Sequence, residues 1–120
     1  MKFCWCTLHV KNMDESVSFY KEVVGLKETR RFMAGPDTEI VFLGNGETEV
    51  ELIWDKNKES SDLGEDISLG FMVESVEKQI TLLKEKGLQI LTEPISPNPN
   101  ITFFFALDPN GLKIQFVEKM

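Results

Sequence analysis

The stretch FCWCTLHVKNMDESVSFYKEVVGL, residues 3–26, decides the fold once it is set beside ISLGFMVESVEKQITLLKEKGL, residues 67–88. In the first, residues 3–10 alternate as a strand. Cys4, Leu8 and Val10 give an apolar face, with Cys6 between them, and Trp5, Thr7 and His9 point the other way. Asn12 follows, with Glu15 three positions on, as in a capping box. Val17, Tyr20 and Val24 then recur at helical spacing, and Gly25 is placed to end the helix. The second stretch repeats this grammar: a strand over residues 67–73, an N-cap at Ser75, a helical stripe of Val76, Ile80 and Leu83, and a stop at Gly87.

The repeat extends outward from these two stretches. A shift of 63 positions sets Val10 on Val73, Asn12 on Ser75, Val17 on Ile80 and Lys21-Glu22 on Lys84-Glu85, and removing one residue before Gly25 brings it onto Gly87. A shift of 64 sets Leu43 on Leu107, Val50 on Ile114 and Leu52 on Phe116. Further strands are expected at residues 27–33, 39–44 and 48–54 in the first half and at 88–92, 101–107 and 112–118 in the second. Asn45-Gly46 marks a hairpin, and Asp108-Pro109-Asn110-Gly111 the last turn. The matching order, caps, terminal glycines and final strands argue against a chance likeness of two amphipathic helices. The predicted fold is α+β: two pseudo-symmetric βαβββ modules forming a cup-shaped, mainly antiparallel sheet with helices on the outside. Residues 1–54 form module one, the polar segment 55–66 a linker, and residues 67–119 module two of a single domain.

The bulk numbers suit that size. A chain of 120 residues that is 42% hydrophobic can bury a core without disulfides. A formal charge of −7 opposes binding to nucleic acid. No apolar run is long enough to span a bilayer, and the first ten residues lack the pattern of a signal peptide, so no membrane association and a cytoplasmic location are expected. Cys4 and Cys6, two apart on a strand, suit a disulfide poorly; they are expected to be two small buried thiols rather than a redox pair or half a zinc site.

The final strands of the two halves carry apolar residues on one face: Val50, Leu52 and Trp54, then Ile114 and Phe116. Their other faces carry Glu49, Glu51 and Ile53, then Lys113, Gln115 and Val117, a mixed surface suited to the concave wall of a cup that holds a small ligand. The repeat pairs Trp5 with Ser68 and Glu51 with Gln115. Candidate ligand-binding residues are therefore Trp5, Thr7, His9, Glu49, Glu51, Ser68 and Gln115. Glu49 and Glu51 are either an acid–base pair or carboxylates that are solvated or paired with an arginine. The proline-rich EPISPNPNIT, residues 93–102, is expected to be a stiff loop over the cup mouth. Phe103, Phe104 and Phe105 are expected in a buried strand, with an apolar wall of the cup as the functional alternative. The basic cluster KETRR, residues 27–31, is expected to be solvated, with contact to an anionic ligand as the minor alternative.

The segment VKNMDESVSFYKEVVGL, residues 10–26, and the closing DPNGLKIQFVE, residues 108–118, resemble the opening and the D-P-[DN]-G-x-x-[IV]-E-[LF] ending of the glyoxalase/bleomycin resistance protein/dioxygenase (vicinal oxygen chelate) superfamily. The resemblance covers both halves. It implies a cup whose metal-dependent versions hold a divalent ion with His or Gln, Glu, His and Glu. The matching positions here are Trp5, Glu51, Ser68 and Gln115. Glu51 alone keeps a usual ligand; Gln115 offers a carbonyl oxygen, Ser68 is a poor ligand, and the Trp5 indole can only donate. His9, the single histidine, falls where glutathione-using relatives often carry an arginine. It is a candidate general base, ligand contact or displaced metal ligand, or simply a half-exposed histidine satisfied by water. Trp5 is either an aromatic floor for a flat ligand or a filler of the vacated metal cavity.

The leading expectation is thus a homodimeric small-molecule-binding protein with a degenerate metal site and no cofactor, its ligand flat and neutral or cationic. The first alternative is a divalent-metal-dependent lyase or isomerase of the lactoylglutathione lyase type, catalysing with Glu51 and His9 as candidates and holding its metal at Glu51 with Gln115 or His9. The second is a non-catalytic dimeric interaction module.

Overall fold

The computed structural model describes residues 2–58, 64 and 67–119. The chain divides into two compact units between residues 63 and 64. The first holds β1 (Trp5–His9), α1 (Met13–Ser18), β2 (Lys27–Met33), β3 (Thr38–Gly44) and β4 (Glu49–Asp55). Its four-stranded sheet runs β1-β4-β3-β2, with β1 parallel to β4 and the other neighbours antiparallel. The second holds β5 (Ser68–Met72), α2 (Val76–Glu85), β6 (Ile95–Asn98), β7 (Ile101–Leu107) and β8 (Lys113–Lys119), in the equivalent order β5-β8-β7-β6 with β5 parallel to β8. Each unit is βαβββ, and the α+β fold expected from the repeat is what the chain adopts.

Local chemistry places the helices. Asn12 is extended, and its side chain accepts the Glu15 backbone N–H at 3.0 Å. Ser75 does the same for Lys78 at 3.2 Å, and Glu118 adds a second cap by accepting the Val76 N–H at 2.8 Å. Gly25 and Gly87 take φ of +86° and +68°, the left-handed conformation that stops a helix. Side chains on one sheet face then meet one helix face. In the first unit Leu8, Val10, Val41, Leu43, Val50 and Leu52 are buried together with Met13, Val17, Tyr20 and Val23. In the second, Phe104, Ala106, Ile114 and Phe116 are buried with Val76 and Leu83 of α2, which packs on β7 and β8. Removing one such side chain, as in Leu52→Ala, costs about 2–5 kcal/mol.

The first helix departs from expectation. After Ser18 it widens into a π-helical turn over Phe19–Val23, where the Val24 N–H reaches back five residues to the Phe19 carbonyl at 3.2 Å. Asn12 to Gly25 spans one residue more than Ser75 to Gly87, and the wide turn takes up that residue. Val23 is buried as a result, and Val24, expected in the apolar stripe, is half-buried.

Three other expectations are corrected. The strand predicted at residues 88–92 is absent; Ile90 makes one isolated bridge to Ala106, and the strand lies at Ile95–Asn98. That strand includes Pro97, inside the segment expected to be a loop. It is tolerated because β6 is the edge of its sheet and its pairing is irregular between Ile95 and Asn98. Cys4 is exposed and Cys6 half-buried, so they are not two buried thiols: Cys4 precedes β1 and escapes the core that covers Leu8. In the expected linker, Asp55 ends β4 and residues 56–58 turn away from it, whereas residues 59–63 and 65–66 lie outside the described residues.

Candidate functional site

Strand alternation leaves one face of the first sheet free of its helix, and the register arranges that face in rows. Arg30 pairs with Phe42, Phe42 with Glu51, and Glu51 with Thr7, so a cation, a ring, a carboxylate and a hydroxyl cross the whole sheet in one line. The next row is Phe32, Ile40, Ile53 and His9. On the other side of the first row, Trp5 pairs with Glu49. Sequence parity thus brings Trp5, Thr7, His9, Glu49 and Glu51 to one face. Ser68 and Gln115 belong to the second unit, where Ser68 pairs with Lys113 and Gln115 with Gly70.

Glu51 is the centre of the first face. It is 8% exposed, and its Oε1 accepts the Thr7 hydroxyl at 2.6 Å. Its partner is thus a threonine hydroxyl and not an arginine. Glu49 is half-buried and accepts the Thr29 hydroxyl at 2.5 Å, while the same hydroxyl lies 3.2 Å from the Phe42 carbonyl. A Cβ at Gly44 would sit 2.9 Å from Glu49 Cγ, so the missing side chain there makes room for the Glu49 stem.

Phe42 organises the aromatic part. Trp5, 45% exposed, meets it edge-on with ring centroids 5.2 Å apart. Phe32 stacks on it at 6.4 Å, and the Arg30 guanidinium carbon lies 4.0 Å from its centroid. Trp5 is therefore part of a partly open aromatic cluster. His9 is half-buried on the same face. In the second sheet Gln115 is half-buried, Ser68 is exposed, and Phe103 and Phe105 meet edge-on at 5.9 Å on the face opposite the buried Phe104. The run of three phenylalanines thus divides, one ring to the core and two to the other face.

The basic cluster is not uniformly solvated. Arg31 turns to the helix side, where it donates to Glu39 at 3.0 Å and Asp14 at 3.1 Å and lies 3.8 Å from Glu28. Hydrogen bonds to Glu39 and then Asp14 raise its already high pKa. Arg31, Asp14 and Glu39, together with Lys11, Asn12, Met13 and Trp54, line a cleft of about 440 Å³. Arg30 goes to the opposite face. Sequence reasoning missed Phe42 and Phe32 and did not separate Thr29 and Arg30 from the rest of the KETRR cluster, because their placement depends on the pairing of β2 with β3 and on a register shift between Glu28 and Arg30.

Among the described residues no three His, Cys, Asp or Glu side chains gather to hold a metal ion. The chemistry of the face is hydrogen bonding at Glu51 and Glu49, stacking at Trp5, and a guanidinium held over a ring.

Comparison with known proteins follows the fold. The family model described as Glyoxalase/Bleomycin resistance protein/Dioxygenase superfamily matches residues 2–116. The Bacillus subtilis protein YwbC is 27% identical over 115 residues, covering 92% of this chain and 91% of that one. A Neisseria meningitidis lactoylglutathione lyase is 29% identical over 128 residues, covering 99% of this chain and 91% of the enzyme. Among solved structures, the trypanothione-dependent glyoxalase I of Leishmania major superposes with a TM-score of 0.86 at 25% identity, covering 98% of this chain and 86% of that one.

Proposed function

The chain belongs to the glyoxalase/bleomycin resistance protein/dioxygenase superfamily, and from that premise we propose that it is a small-molecule-binding protein whose inherited metal positions no longer form a divalent site. The observation that carries this reading is the donor set at those positions: an indole, a carboxylate, a hydroxyl and an amide at Trp5, Glu51, Ser68 and Gln115. One carboxylate, itself engaged by Thr7, and one amide fall short of a tight divalent site, and an indole N–H cannot ligate. The ligand is a flat organic molecule that stacks at Trp5 and hydrogen-bonds at Thr7, His9, Glu49 and Glu51, all on the open face of the first sheet. The protein works as a homodimer, a reading supported by the exposed Met33 and Met72 on its sheets. Two free thiols and an acidic surface suit the cytoplasm.

The names of the relatives favour a second reading, a metal-dependent lyase of the lactoylglutathione type using Glu51 with Gln115 or His9. One series of measurements separates the two. Dialysed protein is assayed for bound metal, melted with micromolar nickel, zinc, cobalt or manganese, and tested for lactoylglutathione formation with each. The expected result is no stoichiometric metal, no large thermal shift and no turnover. Retained metal, or turnover near the ordinary range of about 1–1,000 per second, overturns the binding-protein reading. Sedimentation at several concentrations tests the dimer, and a concentration-independent monomer removes it.

A further inference from the structure

We infer that Arg30 is an anion-recognition residue of the first sheet's open face, and that the ligand carries a carboxylate which Arg30 binds through its guanidinium fork. This inference rests on the proposed small-molecule binding and narrows the ligand from any flat molecule to an organic acid with an aromatic or apolar body.

The contrast between two adjacent arginines carries it. Arg31 is neutralised by Asp14, Glu28 and Glu39. Arg30, one residue earlier on β2, faces the opposite way, and among the described residues no carboxylate lies within 4.0 Å of it. It is nonetheless placed: its guanidinium carbon lies 4.0 Å from the centroid of Phe42, a ring that is itself 3% exposed. A guanidinium over a ring keeps its N–H groups at the edge of the plane, where they match the two oxygens of a carboxylate. Holding the side chain before the ligand arrives lowers the ordering cost of that contact.

The surroundings fix the rest of the ligand. Trp5 touches the same Phe42 ring and is 45% exposed, so an apolar body bound at Arg30 has an indole to lie against. The acidic groups of the face do not cancel the cation. Glu51 and Glu49 are engaged by Thr7 and Thr29. Neither carboxylate comes within 4.0 Å of the Arg30 guanidinium. A neutral or cationic ligand, as expected from the acidic flank alone, leaves the Arg30 fork without an acceptor.

The test uses three probes of one shape: benzoate, benzamide and benzylamine, titrated by NMR into the protein, with arginine Nε–H resonances followed alongside the backbone. Benzoate is expected to shift the Arg30 Nε–H and the Trp5 indole signals and to bind more tightly than benzamide. In Arg30→Gln its affinity should fall about tenfold or more, and in Arg30→Lys by an intermediate factor, with benzamide unchanged in both. Unchanged dispersion of the backbone spectra shows that both variants fold. If benzamide or benzylamine binds the face as well as benzoate and Arg30→Gln changes nothing, the carboxylate assignment is overturned and the small-molecule reading stands. If none of the three shifts any residue of the face at about 10 mM, a ceiling weaker than the millimolar affinities of fragment-sized ligands, both are overturned.

Discussion

The Thr7 hydroxyl donates to Glu51 Oε1 at 2.6 Å, and the two residues share one rung of the parallel pair β1–β4. Because Glu51 is buried and Thr7 is at the surface, this bond satisfies an acceptor that water reaches poorly. Thr7→Val keeps the shape and strand preference but removes the donor. It is expected to cost about 1.5–2 kcal/mol in urea unfolding, the lower part of the range for hydrogen bonds to charged groups. Thr7→Ser should recover most of the loss. A Thr7→Val protein as stable as the parent would show that water replaces the hydroxyl and that Glu51 is open to solvent.

Asp108 makes the equivalent point for the second unit. Its Oδ1 accepts the N–H groups of both Asn110 and Leu112 at 2.8 Å, and its own N–H donates to the Leu112 carbonyl at 2.9 Å. The group is 5% exposed, so Asp108→Ala strands two backbone donors in the turn that sets the register of β8. A loss of about 1–3 kcal/mol is expected. Asp108→Asn, which keeps one oxygen acceptor, should lose less, and equal losses for the two would mean that the carboxylate charge, not the Asx-type turn, holds the loop.

These two contacts also show what the sequence can and cannot reveal. The DPNG turn, the caps at Asn12 and Ser75 and the stops at Gly25 and Gly87 are local signals, each fixed by a few neighbouring residues, and they were legible with the two-module repeat. Strand parity placed Trp5, Thr7, His9, Glu49 and Glu51 on one face. The partners were not legible, because they depend on long-range register. Nothing near Glu51 in sequence points to Thr7, which is 44 residues away, and nothing in KETRR says that Arg30 and Arg31 part company. The same limit misplaced β6: Leu88, Ile90 and Leu91 are more strand-like than Ile95–Asn98, but only the latter segment pairs with β7. Composition also failed for Cys4, since a small apolar residue at the start of a strand is buried only if something packs over it.

The two cysteines are expected to react unequally. Cys4 is exposed, whereas Cys6 is half-buried and burial pushes its thiol pKa up from 9.0. The thiolate is the reacting form, so a raised pKa leaves less of it at any pH below that value. With a chromogenic disulfide reagent at pH 8, Cys4 should give a fast phase and Cys6 a slow one. The slow phase should gain about tenfold per pH unit while the pH is well below its pKa, and Cys6→Ser should abolish it. A single phase of amplitude two would contradict the difference in environment.

The π-helical turn at Phe19–Val23 yields the last expectation. The first helix carries one residue more than the second between cap and terminal glycine, and the widened turn absorbs it without moving Tyr20, which is fully buried. Deleting the exposed Lys21 should let the segment close as an ordinary α-helix. Val24 then takes the place of Val23 against the sheet, a valine for a valine, and Gly25 falls at the position that Gly87 holds in the second unit. The deletion should therefore fold, with a stability change smaller than the roughly 2–5 kcal/mol of a core truncation. Deleting Tyr20 instead removes a core side chain and puts Lys21 in its buried place, and should unfold the unit. Circular dichroism melts of the two deletions decide the matter. If both unfold alike, the wide turn is needed for the packing of the helix and is not merely a way to accommodate an extra residue.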